Sequence, residues 1–192
     1  MNRISTMAKF VLIFMGVICF SFLLVDNKTS AESRTIVQNE ISSNLIKIDT
    51  QGIDAEIYAD PTEMDNLFYI FDGDTYIIED NKLVKDINGV NSAKISVFAT
   101  DSYKAKLKNG ETNQTVKRVL NGTTTFFNTS GPAELRKLDI RRGGKEGVIV
   151  ATLTRDTAGV GTGHTAQSTN FYSFDVTNFS ATTQTWQCSI TF

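Results

Sequence analysis

Cysteine, proline, histidine and tryptophan are almost missing from this chain of 192 residues, which holds two, two, one and one of them. Each scarcity closes off a class of chemistry. Cys19 lies in an apolar leader, so only Cys188 serves the body and no intrachain disulfide is possible in a processed form. A single histidine, His164, and one body cysteine are too few ligands for zinc. No proline precedes Pro61, and between Asp26 and Thr50 there is no glycine either, so nothing there breaks a helix. From Asp156 to the C-terminus there are two carboxylates and no Lys or Arg, a polar but nearly uncharged stretch suited to contacting something.

What the chain does have begins with export. Arg3 and Lys9 precede sixteen largely apolar residues, Phe10 to Val25, and Thr29-Ser30-Ala31 offers small residues for cleavage. Residues 1–31 therefore read as a signal peptide or a retained membrane anchor. Val37, Ile41, Leu45 and Ile48 then recur at four, four and three, an apolar stripe that predicts an amphipathic helix over 32–50. If the leader stays, both parts form one assembly helix of about 40 residues, roughly 60 Å long. Thr29-x-x-Glu32 is a capping-box pattern that instead starts the helix afresh.

Hydrophobic content of 41% and charged content of 21% are ordinary globular values, and residues 51–192 have length enough for one β domain with a substantial core. The charge is split. Asp54 to Asp86 holds ten carboxylates against Lys82 and Lys85, whereas Lys94 to Arg155 holds twelve basic and five acidic residues. Unlike patches favour protein partners or head-to-tail self-assembly. An exported chain of net negative charge is a poor nucleic-acid binder.

Beyond Leu67 the pattern is strands and tight turns. Asp72-Gly73, Asn88-Gly89, Asn109-Gly110 and Asn121-Gly122 are hairpin signals. Strands are predicted at 67–71, 75–78, 94–98, 103–107, 114–120, 123–127, 148–154, 171–177 and 185–192. In the last, Trp186, Cys188, Ile190 and Phe192 alternate with polar residues, so one face is buried. Arg141 to Gly147 reads as a basic glycine loop, and Ala158 to Asn170 as an exposed loop. The predicted class is mainly β (α+β), an N-terminal helix packed on an antiparallel meander or sandwich.

Sites of chemistry are sparse. Gly159-Val-Gly-Thr-Gly-His164 has the glycine alternation of a phosphate cradle without the Lys-Ser/Thr of a P-loop. Cys188 falls in the apolar register of its strand, where a thiol acts as a small hydrophobe rather than as a nucleophile paired with His164. Asp72, Asp74, Glu79 and Asp80 are the candidates for a Ca²⁺ site, although their spacing is not that of an EF-hand. Arg141, Arg142, Lys145 and His164 are the candidates for a binding surface. No cofactor is expected, and no catalytic set stands out.

Phe68-Tyr-Ile-Phe-Asp-Gly-Asp-Thr-Tyr-Ile-Ile78, Asn81-Lys-Leu-Val84 and Gly89 to Phe98, preceded by the apolar stretch and the striped helix, resemble the layout of type IV pilins, especially minor pilins and pseudopilins. The resemblance covers about residues 10–107. It implies a long helix packed on an antiparallel sheet and assembly through Val37, Ile41, Leu45 and Ile48. Lys9 stands where that family carries the glycine of its cleavage motif, and Phe14 where it carries glutamate.

The expectation is thus a non-enzymatic, exported protein, extracellular, periplasmic or on the cell surface. It would be a structural or assembly subunit working through protein contacts, anchored in the membrane if uncleaved. The alternative is a freely secreted binding module, such as an adhesin or toxin-like β domain, with the loop near His164 as its contact surface.

Overall fold

Alternation is what the chain body encodes, and the computed structural model turns it into strands throughout residues 44–87 and 99–192, the residues it describes. Thirteen strands result: β1 Ile46–Ile48, β2 Glu56–Ala59, β3 Leu67–Phe71, β4 Asp74–Glu79, β5 Lys82–Lys85, β6 Thr100–Leu107, β7 Thr112–Val119, β8 Thr124–Ser130, β9 Arg136–Arg142, β10 Val148–Arg155, β11 Gly159–Thr165, β12 Asn170–Asn178 and β13 Gln184–Thr191. One turn of 3-10 helix, Met64–Asn66, joins β2 to β3.

The strands pair antiparallel into two sheets. One has six strands in the order β1-β2-β10-β9-β12-β7, the other seven in the order β5-β4-β3-β11-β8-β13-β6. The pairings β6 with β13, β7 with β12, β8 with β11 and β9 with β10 are nested. From β6 onward the chain alternates between sheets, except where β9 turns back into β10. Nested pairs folded across two sheets define a jelly roll. β1 and β2 widen one sheet of it; the β3-β4-β5 meander widens the other.

Period two settles which side chains meet between the sheets. Trp186, Cys188 and Ile190 of β13 point inward and are fully buried, with Phe127 of β8, Phe174 of β12, and Leu138 and Ile140 of β9. Phe127 and Phe174 meet edge-on across the sheets, ring centres 5.8 Å apart, a pairing that adds about 0.5–1.5 kcal/mol to the burial of their area. Burial also pushes the Cys188 thiol up to about 11, so at neutral pH it is the packing group the register implied.

Two tight hairpins form, one at an expected turn and one at a turn the sequence did not single out. Asn109-Gly110 and Asn121-Gly122 instead join strands of different sheets. Asp72 and Gly73 both have positive φ, 52° and 89°, in the two-residue turn between β3 and β4. Asp80 and Asn81, at 49° and 61°, do the same between β4 and β5. The strands predicted at 67–71, 75–78, 103–107, 114–120, 123–127, 148–154, 171–177 and 185–192 match β3, β4, β6, β7, β8, β10, β12 and β13 to within a few residues. The strand at 94–98 and the Asn88-Gly89 turn lie outside the described residues.

Several expectations are corrected. The class is all-β: among the described residues no α-helix packs on either sheet. The amphipathic helix over 32–50 gives way, in its described part, to β1. Ile48 is buried opposite Ile57 of β2, and Leu45 is buried just before the strand. β-Branched Ile46 and Ile48 fit a pleated sheet, and pairing to β2 outweighs helical spacing. Val37 and Ile41 lie outside the described residues. The type IV pilin resemblance falls with the helix, because the strands quoted for it belong to the flank of a two-sheet jelly roll.

Both supposed loops also contain strand. Arg141 and Arg142 close β9, and Gly159–Thr165 is the buried β11. Its glycines serve packing. A Cβ on Gly161 would sit 2.4 Å from the Phe126 ring, and one on Gly163 1.9 Å from the Phe68 ring. The two rings stack over that strand with centres 6.0 Å apart. Only a bare backbone lets them lie so close.

Candidate functional site

Arg136-Lys-Leu-Asp-Ile-Arg-Arg142 reads polar and apolar in turn, and as β9 it sorts its charges onto two faces. Lys137, Asp139 and Arg141 point outward from the six-stranded sheet, where they line an open cleft of about 320 Å³. Thr112 and Gln114 of β7, Asp175 and Thr177 of β12, Gly110 and Phe179 complete it. Asp139 and Asp175 are directly opposite on neighbouring strands.

Every carboxylate oxygen in the cleft has a partner. Thr152 Oγ1 donates to Asp139 Oδ1 at 2.7 Å, and Lys137 Nζ lies 3.4 Å from Oδ2. Arg141 Nε donates to Asp175 Oδ2 at 2.8 Å, Gln114 Nε2 to the same oxygen at 3.1 Å, and Ser173 Oγ to Oδ1. Burial holds the Asp139 carboxyl above its ordinary range, against the pull of Lys137, Thr152 and Arg141. Both carboxylates are thus held in place by neighbouring donors. Chemically the cleft is polar and charge-balanced.

The inward-facing Arg142 belongs to a different constellation. Glu63, in the segment that crosses from β2 to β3, accepts from Arg142 Nη1 through Oε1 and faces His164 Nε2 through Oε2 at 3.1 Å. Asn66 Nδ2 donates to Oε2 at 3.3 Å. The hydrogen bond with His164 is the main reason the Glu63 carboxyl titrates below its ordinary value. With Glu63 ionised, Nε2 carries the proton, and His164 Nδ1 is buried without a partner among the described residues. The Tyr172 ring centre lies 5.2 Å from that of His164. Glu63 thus ties Arg142 of one sheet to His164 of the other. With His164 1% exposed and Glu63 3%, the pair is closed off from solvent, and its contacts make it an inter-sheet clamp.

Arg136 clamps the other end of β9. Fully buried, it donates to Thr129 Oγ1 at 2.8 Å and to the Thr157 and Glu134 carbonyls at 2.8 and 3.1 Å, and lies over the Trp186 ring. Burial pushes its guanidinium down to about 10.

The proposed binding-surface residues therefore separate. Arg141 joins the cleft, Arg142 and His164 join the clamp, and Lys145 is exposed in the turn between β9 and β10. The Ca²⁺ candidates divide between the ends of β4, about 17 Å apart along a strand. Asp72 lies 3.6 Å from Arg155, Asp74 pairs with Lys85 at 2.7 Å, and Glu79 and Asp80 flank the second turn. Among the described residues no three His, Cys, Asp or Glu side chains gather as a metal site. Asp139, Asp175, Gln114 and Glu63 escaped the sequence reading. The alternation Lys-x-Asp-x-Arg was the available sign for the first, once 136–142 is read as a strand.

Compared with family models and with curated proteins, the chain gives no match. Among solved structures it is similar to dTDP-4-dehydrorhamnose 3,5-epimerase from Sulfolobus tokodaii, at 8% identity and a TM-score of 0.20 over 70% of this chain and 76% of that one. It is also similar to dTDP-6-deoxy-D-glucose-3,5-epimerase RmlC from Legionella pneumophila Philadelphia 1, at 10% identity and a TM-score of 0.20, covering 70% and 72%. The dTDP-4-dehydrorhamnose 3,5-epimerase from Elizabethkingia anophelis NUHP1 gives 10%, 0.20, 70% and 75%. All three are sugar 3,5-epimerases. At that TM-score the likeness carries neither fold nor activity to this chain, whose jelly roll rests on its own strand pairing.

Proposed function

We propose that this chain is an exported, non-catalytic binding module whose contact site is the cleft on the outer face of the six-stranded sheet. The cleft itself carries the reading: about 320 Å³ of open space lined by seven hydrogen-bonding side chains, two of each charge among them. Small-molecule sites commonly occupy roughly 300–1,000 Å³. Rigid neighbouring strands hold these groups in place, which keeps the cost of ordering them low. Export rests on the leader, with its two positive charges, apolar core and small residues at Thr29 and Ala31.

The test is a screen of small polar fragments against the protein as its own cells process it, read by backbone amide shifts. Responses gathering at Thr112, Gln114, Arg141 and Thr177 are the expected result. Responses confined to Glu63, His164 and Tyr172, with the cleft silent, would replace this reading by an acid–base enzyme. N-terminal sequencing of the same material tests export; a product retaining Met1 in the cytoplasm contradicts it.

A further inference from the structure

We infer that the cleft receives a neutral, hydroxyl-rich ligand, a stretch of uncharged oligosaccharide lying along β12. The inference rests on the cleft being the contact site and adds the ligand's chemistry. Three observations point the same way.

The first is charge. Asp139 and Asp175 are matched by Lys137 and Arg141 within the cleft. An anionic ligand would place its charge beside two carboxylates and compete with Asp175 for Arg141. A cation would find both oxygens of Asp175 already engaged, and no third acid beside them among the described residues. A neutral partner meets neither penalty.

The second is the kind of polar group. Carboxylate, guanidinium and amide are planar and two-pronged, and Thr112 and Thr177 add hydroxyls that both give and accept. Donors and acceptors are interleaved across adjacent strands. Vicinal hydroxyls, each a donor and an acceptor, complement such a surface; an all-donor or all-acceptor ligand does not.

The third is the line of β12. Its outward positions run Phe171, Ser173, Asp175, Thr177, and Phe179 follows just past the strand's end. Phe171 is 55% exposed, whereas Phe179 is 5% exposed at the wall of the cleft, with Lys137 Nζ 5.6 Å from its ring centre. From the open Phe171 ring to Thr177 in the cleft the strand runs about 20 Å. Sugar rings present apolar C–H faces and polar edges, so a chain of them can stack on Phe171 and hydrogen-bond in the cleft. A single monosaccharide would reach only one of the two.

The experiment titrates the naturally processed protein with four neutral pentasaccharides, β-1,4-glucose, β-1,4-N-acetylglucosamine, α-1,4-glucose and β-1,4-xylose. A galacturonic acid pentamer forms an anionic arm, included because Arg118 of β7 sits opposite Phe171. At least one neutral sugar should shift the amides of Gln114, Arg141 and Thr177. Phe171→Ala and Gln114→Ala should each weaken it about three- to tenfold, with the melting temperature unchanged. Lys104→Ala, on the outer face of the other sheet, should leave the affinity as it was. If only the galacturonate pentamer shifts the cleft, the ligand class is wrong and the contact site stands. If neither sugars nor polar fragments touch the cleft, both fall. A neutral sugar whose affinity Phe171→Ala leaves intact overturns the extended pose.

Discussion

Glu63 and Asp139 are equally hidden, 3% and 2% exposed, yet their acidities move in opposite directions. Glu63 titrates below its ordinary value, chiefly because of its hydrogen bond with His164. Asp139 titrates above its own, chiefly because of burial. Asp139 lies deeper among protein atoms, and the two differ as well in what is aimed at each carboxylate. Glu63 faces Arg142, His164 and Asn66, divided between its two oxygens. Asp139 has one short donor, Thr152, with cations at 3.4 and 4.0 Å and the like charge of Asp175 beside it. Depth and directed donors together decide which charge survives. One carboxylate holds two sheets together, and the other lines an open cleft.

The largest expected effect follows from removing the clamp. Glu63→Ala leaves His164 Nε2 without its Glu63 partner and Arg142 without this counter-ion, so stability should fall by about 3–5 kcal/mol. Denaturant unfolding measures it. Asp139→Ala removes a carboxylate already resisted by its surroundings and should cost clearly less. Equal losses would break the comparison, because the two sites would then differ in position and not in function.

How much of this was legible depended on whether a local pattern and its tertiary setting agreed. At Asp72-Gly73 and in the Trp186 to Ile190 alternation they agreed, and the turn and the strand appear where the chain announces them. At Leu45 and Ile48 they did not: spacings of three and four describe a helix face, but pairing to β2 is a contact no local window contains. Gly159 to Gly163 misled for a related reason. Glycine marks loops unless something needs the missing side chain's space, and here Phe68 and Phe126, distant in sequence, need it. The cleft was hidden by the same kind of distance. Asp139 and Asp175 become neighbours only when β9 and β12 pair, and Glu63 meets His164 across 101 positions.

The pH dependence of unfolding sharpens the contrast at smaller amplitude. For Glu63 the folded carboxyl is the stronger acid, so the unfolded chain binds its proton first as pH falls. Its stabilisation is full above 4.5, the ordinary value at which the unfolded group titrates, and is lost on descending through the folded value. For Asp139 the folded carboxyl is the weaker acid. Stability from that site therefore rises as pH falls from the folded value toward 3.8, where the unfolded group titrates. Glu63→Gln should flatten acid unfolding below pH 4.5, and Asp139→Asn should steepen it between neutrality and 3.8. Parallel profiles for the two variants would contradict opposite shifts.

The smallest change asks what sets the acidity of Asp139. Lys137 is the foremost group working against burial there, and Lys137→Met removes its charge while keeping a stem that packs over Phe179. Stability should move by no more than about 1 kcal/mol, the scale of the lost contact with the ring. The Asp139 carboxyl, followed by its carbon shift through a pH titration, should climb further above its ordinary range, since one of the charges favouring ionisation is gone. Arg141 and Thr152 would then be the groups left opposing burial. A carboxyl signal that does not move would mean that Lys137 has no part in setting the acidity of Asp139, and that the contrast with Glu63 is set without it.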